Sequence, residues 1–399
     1  MPKQINASIV INIIGIIATL CGIATSIVAF QNNAALSYLI IAILSLVVIG
    51  IIVFLLIDIR KEKERKKQFD LLEILRNDKE NQKWNEIIRL AYPLSRPLWL
   101  AKKYKLRVQF GRLVEESCNH LHNQKNIRIG KEDKSIKSIL SEVLIDDLGW
   151  TQYKIHSNFK ETARSSIQSG IEKAKKYNDY PVVIQGYRHL SGISSECGED
   201  KEPVNDHLKE IQKIMDSQGY KETVDEKKQE SIYTAIEYTY ARNKIRFIRN
   251  KGMDGKAKDE LIEEIFKHID NSEKGLKGHD EDRYAKIFLV KAEAFMLRND
   301  ISSLNKADEI LKEGHAYCET RQREDNLVRI PMSRLKVRLK KLQLLEERNQ
   351  LTQNIKNSLL KEASKLAIDV GNRIIDADDY DEYKHQLNDL MRKINRFKK

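Results

Sequence analysis

Residues 144–170, LIDDLGWTQYKIHSNFKETARSSIQSG, and residues 190–211, LSGISSECGEDKEPVNDHLKEI, decide the fold that this sequence predicts. Each stretch has a leucine followed by a small residue, then a polar turn, and then apolar or small residues at helical spacing. The turns are Asn158-Phe159 and Gly198-Glu199-Asp200. Spacings of three and four residues align side chains on one face of a helix. The pattern therefore predicts two consecutive pairs of antiparallel helices.

The two stretches also repeat at a fixed offset, which is 41 residues from Ala163 to Val204. This layout resembles the tetratricopeptide-repeat family, which has Leu-Gly in its first helix and Ala-x-x-x-Phe in its second. The sequence departs from that family, since its units exceed about 34 residues and Ile145 and Gln152 replace the family's Trp and Tyr. The resemblance implies an α-solenoid in which small residues let helices nest, and a binding module rather than an enzyme.

Helical spacing continues in the rest of the chain after residue 58, with almost no alternation of period two. Leu335, Leu339 and Leu342 form one apolar stripe, residues 355–375 form another long helical pattern, and a capping helix is predicted from about Asp379. Breaks between helices are predicted at Gly252–Gly255, at Asn299-Asp300, over residues 271–283, and as a polar loop over residues 216–230. The predicted fold class is all-α.

The N-terminal part of the chain has a different composition, because no Asp, Glu, Lys or Arg occurs between Lys3 and Asp58. Two apolar runs, residues 7–30 and 35–57, are joined by a short polar break. A helix that spans a bilayer needs about 20 apolar residues, and each run supplies them. A cleaved signal peptide would have a shorter apolar core and no second run directly after it. The sequence therefore predicts a transmembrane helical hairpin over residues 1–58.

Basic residues directly after the second apolar run predict the orientation of this hairpin. Lys and Arg are enriched on the cytoplasmic side of membrane helices, so both termini are expected in the cytoplasm. The composition, rich in Ile, Lys and Asn, is compatible with a bacterium of AT-rich genome, and the expected location of the hairpin is then the bacterial inner membrane. The residues expected to contact anionic lipid headgroups are Arg60, Lys61, Lys63, Arg65, Lys66 and Lys67.

The first apolar run carries a seam of small and polar residues on one helical face. Small residues let helices approach closely in lipid, and hydroxyl or amide groups hydrogen-bond across the contact. One interpretation is that the seam packs the hairpin on itself, and the other is that it assembles several chains or lines a polar path. The residues of this transmembrane seam are Ser8, Asn12, Gly15, Thr19, Gly22 and Ser26.

The charge balance permits anionic partners, since 70 Lys and Arg face 58 Asp and Glu and the formal net charge is +12. Acidic residues are interspersed, so most of this charge is expected on solvated helix faces. The stretch Arg89–Arg112 holds seven basic residues, no acidic residue and several aromatic ones. Aromatic rings among cations stack on nucleic-acid bases or collect at a membrane interface. Because the stretch follows the membrane segment closely, lipid contact or packing is favoured over nucleic acid.

No residue pattern typical of a catalytic, cofactor or metal site occurs in the sequence. The cysteines, at positions 21, 118, 197 and 318, have no metal or redox spacing. Cys118, His120 and His122 point in different directions on a helix and do not converge on one ion. We therefore expect no enzymatic activity, no cofactor and no metal.

The predicted organisation has three parts: the hairpin over 1–58, a basic juxtamembrane helical region over 59–125, and a cytosolic helical-repeat domain over 126–399. Helical repeats bind partners on an extended concave surface. The residues expected to line this partner groove are Tyr153, Tyr187, Arg188, Tyr238, Tyr240 and Arg242.

Two functions are consistent with these features. The first is a membrane-anchored adaptor or sensor that binds a protein or peptide partner at the cytoplasmic face. The alternative is a membrane effector, in which an activated repeat domain clusters the hairpins into a homo-oligomer that disrupts the membrane. Two-helix anchors joined to a sensor resemble, in general layout, effectors of prokaryotic antiviral immunity.

Overall fold

The computed structural model describes residues 70–101, 103–277, 280–321, 324–375 and 381–398. The predicted hairpin, its seam and the predicted lipid-contact residues from Arg60 to Lys67 lie outside these ranges. Within them, no helix is long and apolar enough to cross a membrane. The chain divides into two compact units, Met1–Gln82 and Lys83–Lys399. Residues 70–80 of the first unit are helical, and the following paragraphs concern the second unit alone.

The second unit is built almost entirely from helices. In chain order, its α-helices are α1 Trp84–Ala91, α2 Ser95–Leu100, α3 Tyr104–His120, α4 Ile136–Glu142, α5 Thr151–Ile155, α6 Lys160–Lys175, α7 Tyr180–Glu196, α8 Asp206–Asp216, α9 Gln218–Thr223, α10 Glu226–Lys251, α11 Gly255–Leu276, α12 Glu281–Leu297, α13 Ile301–Thr320, α14 Glu324–Glu347, α15 Gln353–Ile375 and α16 Asp381–Lys398. A π-helical segment, Val143–Trp150, joins α4 and α5 into one continuous helix, and short 3-10 turns span Tyr92–Leu94 and Ser157–Phe159.

A small antiparallel sheet lies between α3 and α4, formed by β1 Asn126–Ile129 and β2 Glu132–Ser135. Gly130 begins its tight turn with a φ of +62°, a conformation that glycine adopts without steric strain. These strands were not predicted from the sequence. With only four residues each, and with Ile127 as the one strand residue that is fully buried, they carry almost no alternating pattern.

The long helices pack as successive pairs. From α6 to α8 and from α10 to α16, each helix contacts the next along the chain, and α7, α10, α12, α14 and α16 also contact one another in series. The buried apolar side chains form clusters between these helices, and one helix is shared by each cluster and the next. A linear series of helix pairs with a core between neighbours is a solenoid-like arrangement. The prediction of an all-α, helical-repeat fold is thereby confirmed.

The two stretches that predicted the fold form consecutive helix pairs. The π-helical segment packs against α6, and α7 packs against α8. Ala163 and Ile167 on α6, like Leu208 and Ile211 on α8, have no exposed surface. The stripe on α14 is also buried, with Leu335 and its two partners at most 5% exposed. Helical periodicity therefore located these core faces correctly.

The predicted polar loop over residues 216–230 is wrong, because α9 and the first turn of α10 occupy it. Ser217 and Asp225 begin these helices, and their side chains accept hydrogen bonds from the backbone N–H groups of Tyr220 and Lys228. Such capping satisfies N–H groups that lack a partner inside the helix. The polar residues that indicated a loop are therefore helix starts.

Glycines permit the close approach of the π-helical segment, α6 and α7. A Cβ atom on Gly170 would lie 2.6 Å from Ile145 Cγ1 and 2.9 Å from the carbonyl oxygen of Ser141. On Gly186 it would lie 2.4 Å from Ile171 Cγ1. Since these distances are shorter than any normal contact, only glycine fits without a shift of the neighbouring helix.

Candidate functional site

A cleft of about 1150 Å³ runs along the row formed by α7, α10, α12, α14 and α16, and continues to α2, α3 and the π-helical segment. Pockets for small ligands typically measure about 300–1,000 Å³. The cleft is therefore large enough for an extended ligand, and the row of helices supplies a long wall for it.

Positive charge is concentrated in this cleft. Its basic side chains are Arg96, Lys105, Arg107, Lys134, Lys154, Arg188, Arg242, Arg246, Arg249, Arg283, Lys286, Arg329 and Lys336. Its acidic side chains are Glu142, Asp146, Asp147, Glu196, Asp280 and Glu293. The described residues that line the cleft thus include thirteen basic and six acidic groups, an excess of seven positive charges. The formal net charge of the whole chain is +12. Clefts lined by one sign of charge attract ligands of the opposite sign.

A buried ion pair lies in the cleft lining. Arg107 on α3 lies 2.7 Å from Asp147 in the π-helical segment, and their side chains are 7% and 4% exposed. The hydroxyl of Ser95 donates to Asp147 at 2.7 Å. Burial raises the pKa of Asp147 to about 6, although the charge of Arg107 acts in the opposite direction. The Arg107 guanidinium also lies 5.0 Å from the centre of the Trp99 ring.

The adjacent residue, Asp146, faces α7 instead of α3. Its carboxylate accepts hydrogen bonds from His189 Nε2 at 2.7 Å and from Gln185 Nε2 at 3.2 Å. Trp150 stacks on the His189 ring at 4.5 Å, nearly parallel to it. Burial raises the pKa of Asp146. The hydrogen bond from His189 and the electrostatic attraction of the His189 ring outweigh burial, so the pKa is lowered to about 2. The π-helical segment thus connects α3 and α7 through two neighbouring carboxylates.

Farther along the cleft, three cations share one carboxylate. Glu196 at the end of α7 lies 3.0 Å from Lys154, 2.5 Å from Arg246 and 3.8 Å from Arg242. Burial raises the pKa of Glu196, but these three cations outweigh burial and lower it to about 2. Burial and repulsion from Arg242 lower the pKa of Arg246 to about 10. We call Lys154, Arg242, Arg246 and Glu196 the Glu196 cluster, in which two positive charges remain uncompensated.

The predicted groove residues fall into two groups. Arg188, Tyr238 and Arg242 line the cleft. Tyr153, Tyr187 and Tyr240 lie outside its lining and pack against other helices. The Tyr153 hydroxyl lies 4.0 Å from Sγ of Cys197, which directly follows α7. Lys175 donates to the Tyr187 hydroxyl at 2.8 Å, and Tyr240 stacks on His268 at 5.1 Å. Whether the first three contact a partner stays a prediction.

Several cleft residues were not predicted from the sequence. Arg246 and Arg249 follow the predicted groove residue Arg242 at spacings of four and three, which places all three on one helical face. That spacing is a signal that could have found them. Arg283 and Asp146 gave no such signal, because their place in the cleft depends on how α12 and the π-helical segment pack.

The basic stretch Arg89–Arg112 is divided between packing and the cleft. Arg96, Trp99, Lys105 and Arg107 line the cleft. The predicted domain boundary at residue 125 falls inside the compact unit Lys83–Lys399, since α3 packs against the π-helical segment. This stretch therefore forms one wall of the candidate site.

No group of three His, Cys, Asp or Glu side chains within the described residues converges in a way that could hold a metal ion. In the segment considered from the sequence, His120 stacks on Trp84 at 4.0 Å. His122 Nδ1 lies 3.0 Å from the carbonyl oxygen of Asn119, and Cys118 is buried.

Comparison with known protein families found no match, and comparison with characterised proteins also found none. Among solved structures, the chain is similar to a circular tandem repeat protein with novel repeat topology and enhanced subunit contact surfaces. The sequence identity is 11%, the alignment covers 85% of this chain and 91% of that chain, and the TM-score is 0.25. A likeness of this degree supports no argument about function.

Proposed function

We propose that the protein is a membrane-anchored helical-repeat adaptor or sensor that binds an acidic segment of a protein partner at the cytoplasmic face of the membrane. The observation that carries this proposal is the cleft with its thirteen basic and six acidic lining residues. The resemblance to tetratricopeptide repeats supports the same function, because such arrays bind polypeptides on one face.

The distribution of charge favours a polypeptide over a nucleic acid. Carboxylates interrupt the basic surface at intervals, with Asp146 in the π-helical segment, Glu196 on α7, Asp280 directly before α12 and Glu293 on α12. Double-stranded DNA presents one negative charge about every 1.7 Å along its axis, and these carboxylates would repel it. A polypeptide with acidic and uncharged positions in alternation avoids that repulsion.

The N-terminal sequence supplies the membrane part of the proposal. An uncharged hairpin would hold the repeat domain at the bilayer, and the basic residues after it would contact anionic headgroups. Confinement to a surface raises the effective concentration of any partner bound to the same membrane. A partner affinity that is weak in solution then suffices for binding.

The proposal is tested by cross-linking in intact cells that express the full-length chain. A photoreactive amino acid replaces Lys286, which lines the cleft, and in a control chain it replaces Lys256, whose side chain is 91% exposed outside the cleft lining. We expect a protein adduct at position 286 alone, and its loss when Arg242→Glu and Arg246→Glu are added. Equal adducts at both positions, or none at position 286, would contradict the proposal.

The second candidate function, a membrane effector, is favoured by the seam on the first apolar run. Asn12 places an amide within a largely apolar segment, and a polar group in lipid is stabilised by a hydrogen-bond partner. Assembly of several hairpins would supply that partner. In this alternative, ligand binding to the cleft clusters the chains.

A further inference from the structure

Arg188 lines the cleft from α7 and is partly buried. Within the described part of the chain, its guanidinium makes no hydrogen bond and no ion pair. A guanidinium carries five N–H donors, and a partly desolvated charge without a partner is unfavourable. A protein retains such a group where a ligand supplies the missing acceptors.

The charges around Arg188 do not compensate it. Burial lowers the pKa of Arg188 to about 9, and repulsion from Arg283 on α12 adds to this effect. Of the two nearby carboxylates, Asp280 lies 3.4 Å from Arg283, and Asp146 accepts hydrogen bonds from His189 and Gln185. Both carboxylates therefore have closer partners than Arg188, and strongly perturbed groups of this kind concentrate at binding sites.

The Glu196 cluster lies along the same cleft and adds to the positive excess. Its three cations share one carboxylate, so two of its positive charges remain. Arg188 contributes a third. One carboxylate of a ligand would neutralise only one of these charges, whereas a phosphate monoester carries about −1.5 to −2 near pH 7. The charge balance therefore favours a phosphate over a carboxylate.

We infer that Arg188, together with Arg283 on α12, forms a binding site for a phosphate group in the cleft that Arg242 on α10 also lines. The planar guanidinium matches phosphate through two parallel N–H···O bonds, which gives orientation as well as attraction. The inference rests on the proposed function in one respect: the phosphate belongs to whatever ligand the cleft binds. Its source is a phosphorylated side chain of the partner or a small phosphorylated molecule.

The test is isothermal titration calorimetry of the full-length protein in detergent micelles with sodium pyrophosphate. The variants are Arg188→Gln and Arg188→Lys, and the control is Arg392→Gln, which removes an 82% exposed arginine on α16. Because hydrogen bonds to charged groups are among the stronger ones in proteins, we expect Arg188→Gln to weaken binding about tenfold or more. Arg188→Lys, which keeps the charge, should weaken it less, and the control should bind like the unchanged protein.

Thermal unfolding gives a second readout that a merely structural role would not produce. Without pyrophosphate, Arg188→Gln should melt at the same temperature as the unchanged protein or higher, because it removes an uncompensated charge. With pyrophosphate, the melting temperature of the unchanged protein should rise and that of Arg188→Gln should not. A large fall in melting temperature for both Arg188 variants, or no pyrophosphate binding by the unchanged protein, would overturn the inference.

Two synthetic peptides identify the source of the phosphate. They share a glutamate-rich sequence and differ in one position, which is serine in one and phosphoserine in the other. Tighter binding of the phosphoserine peptide, lost in Arg188→Gln, assigns the phosphate to a polypeptide. Equal binding of both peptides, alongside Arg188-dependent pyrophosphate binding, assigns it to a small molecule. The inference and the proposed function can fail separately. If the protein binds no pyrophosphate but still forms the adduct at position 286, and Arg188→Gln does not change that adduct, the inference is contradicted and the proposed function is not.

Discussion

The carboxylate of Asp147 and the guanidinium of Arg107 lie 2.7 Å apart and are almost completely removed from solvent. This pair joins the π-helical segment to α3, and Ser95 adds a hydrogen bond from α2. A π-helical insertion in an α-helix frequently occurs at functional sites. Here it directs Asp147 toward α3 and its neighbour Asp146 toward α7. One segment therefore contacts the helices on both sides of the cleft.

Removing one member of this pair should strongly destabilise the protein. Asp147→Asn leaves Arg107 buried without a counter-charge, and the free energy of unfolding should fall by about 3–5 kcal/mol. The double variant Arg107→Met/Asp147→Leu removes both charges and should recover most of that loss, since apolar replacements of a buried pair are often neutral. Urea denaturation measures both values. Equal losses in the single and double variants would contradict this account.

Local sequence patterns predicted those parts of the fold that depend on periodicity. The buried faces of α6, α8 and α14 follow from apolar residues at spacings of three and four, and the turns around Gly198 and Gly252 from glycine and polar residues. The strand β1 was not predicted because four residues show too little alternation. The loop predicted over residues 216–230 was wrong because the same serine and aspartate side chains serve turns and helix caps alike.

The candidate site was predicted only in part, for a related reason. Arg188 and Arg242 were among the groove residues predicted from the sequence, and both line the cleft. Tyr187, next to Arg188, points about 100° away around the helix and packs against Lys175. Arg188 and Arg283 line the same cleft from positions 95 residues apart, and no local pattern specifies how α7, α10 and α12 are arranged along it.

The charge of Glu196 should make stability depend on pH in the acid range. Because the pKa of Glu196 is lowered to about 2 in the folded protein from 4.5, the folded state favours its ionised form. This contribution is present above pH 4.5 and is lost as the pH falls toward 2, and it amounts to about 3 kcal/mol at most. Denaturation of Glu196→Gln at pH 7 and pH 3 should show lower stability at pH 7 and a smaller loss on acidification. Glu260→Gln, which changes a 64% exposed glutamate, is the control.

Gly170 and Gly371 should respond in opposite ways to replacement by alanine. At Gly170 the new methyl group would meet a backbone oxygen at 2.9 Å and Ile145 Cγ1 at 2.6 Å, so overpacking should destabilise the protein by about 1–3 kcal/mol. At Gly371 it would meet Leu387 at 3.8 Å, an ordinary contact, and alanine should stabilise the helix by about 0.5–1 kcal/mol. Opposite shifts of melting temperature are expected, and shifts of the same sign would show that helix spacing is not set by Gly170.

The seam on the first apolar run distinguishes an anchor from an effector. Asn12→Leu combined with Gly22→Leu removes a hydrogen-bonding amide and a close-approach position, so self-association in a membrane two-hybrid assay should weaken. Ile13→Leu combined with Ile23→Leu changes the same apolar run at positions off the seam and should have no effect. Forced clustering of the part of the chain after residue 58 should admit a membrane-impermeant dye if the hairpins disrupt the bilayer, and the Asn12/Gly22 double variant should abolish entry. Unchanged self-association together with an intact membrane would leave the hairpin as an anchor that packs only on itself.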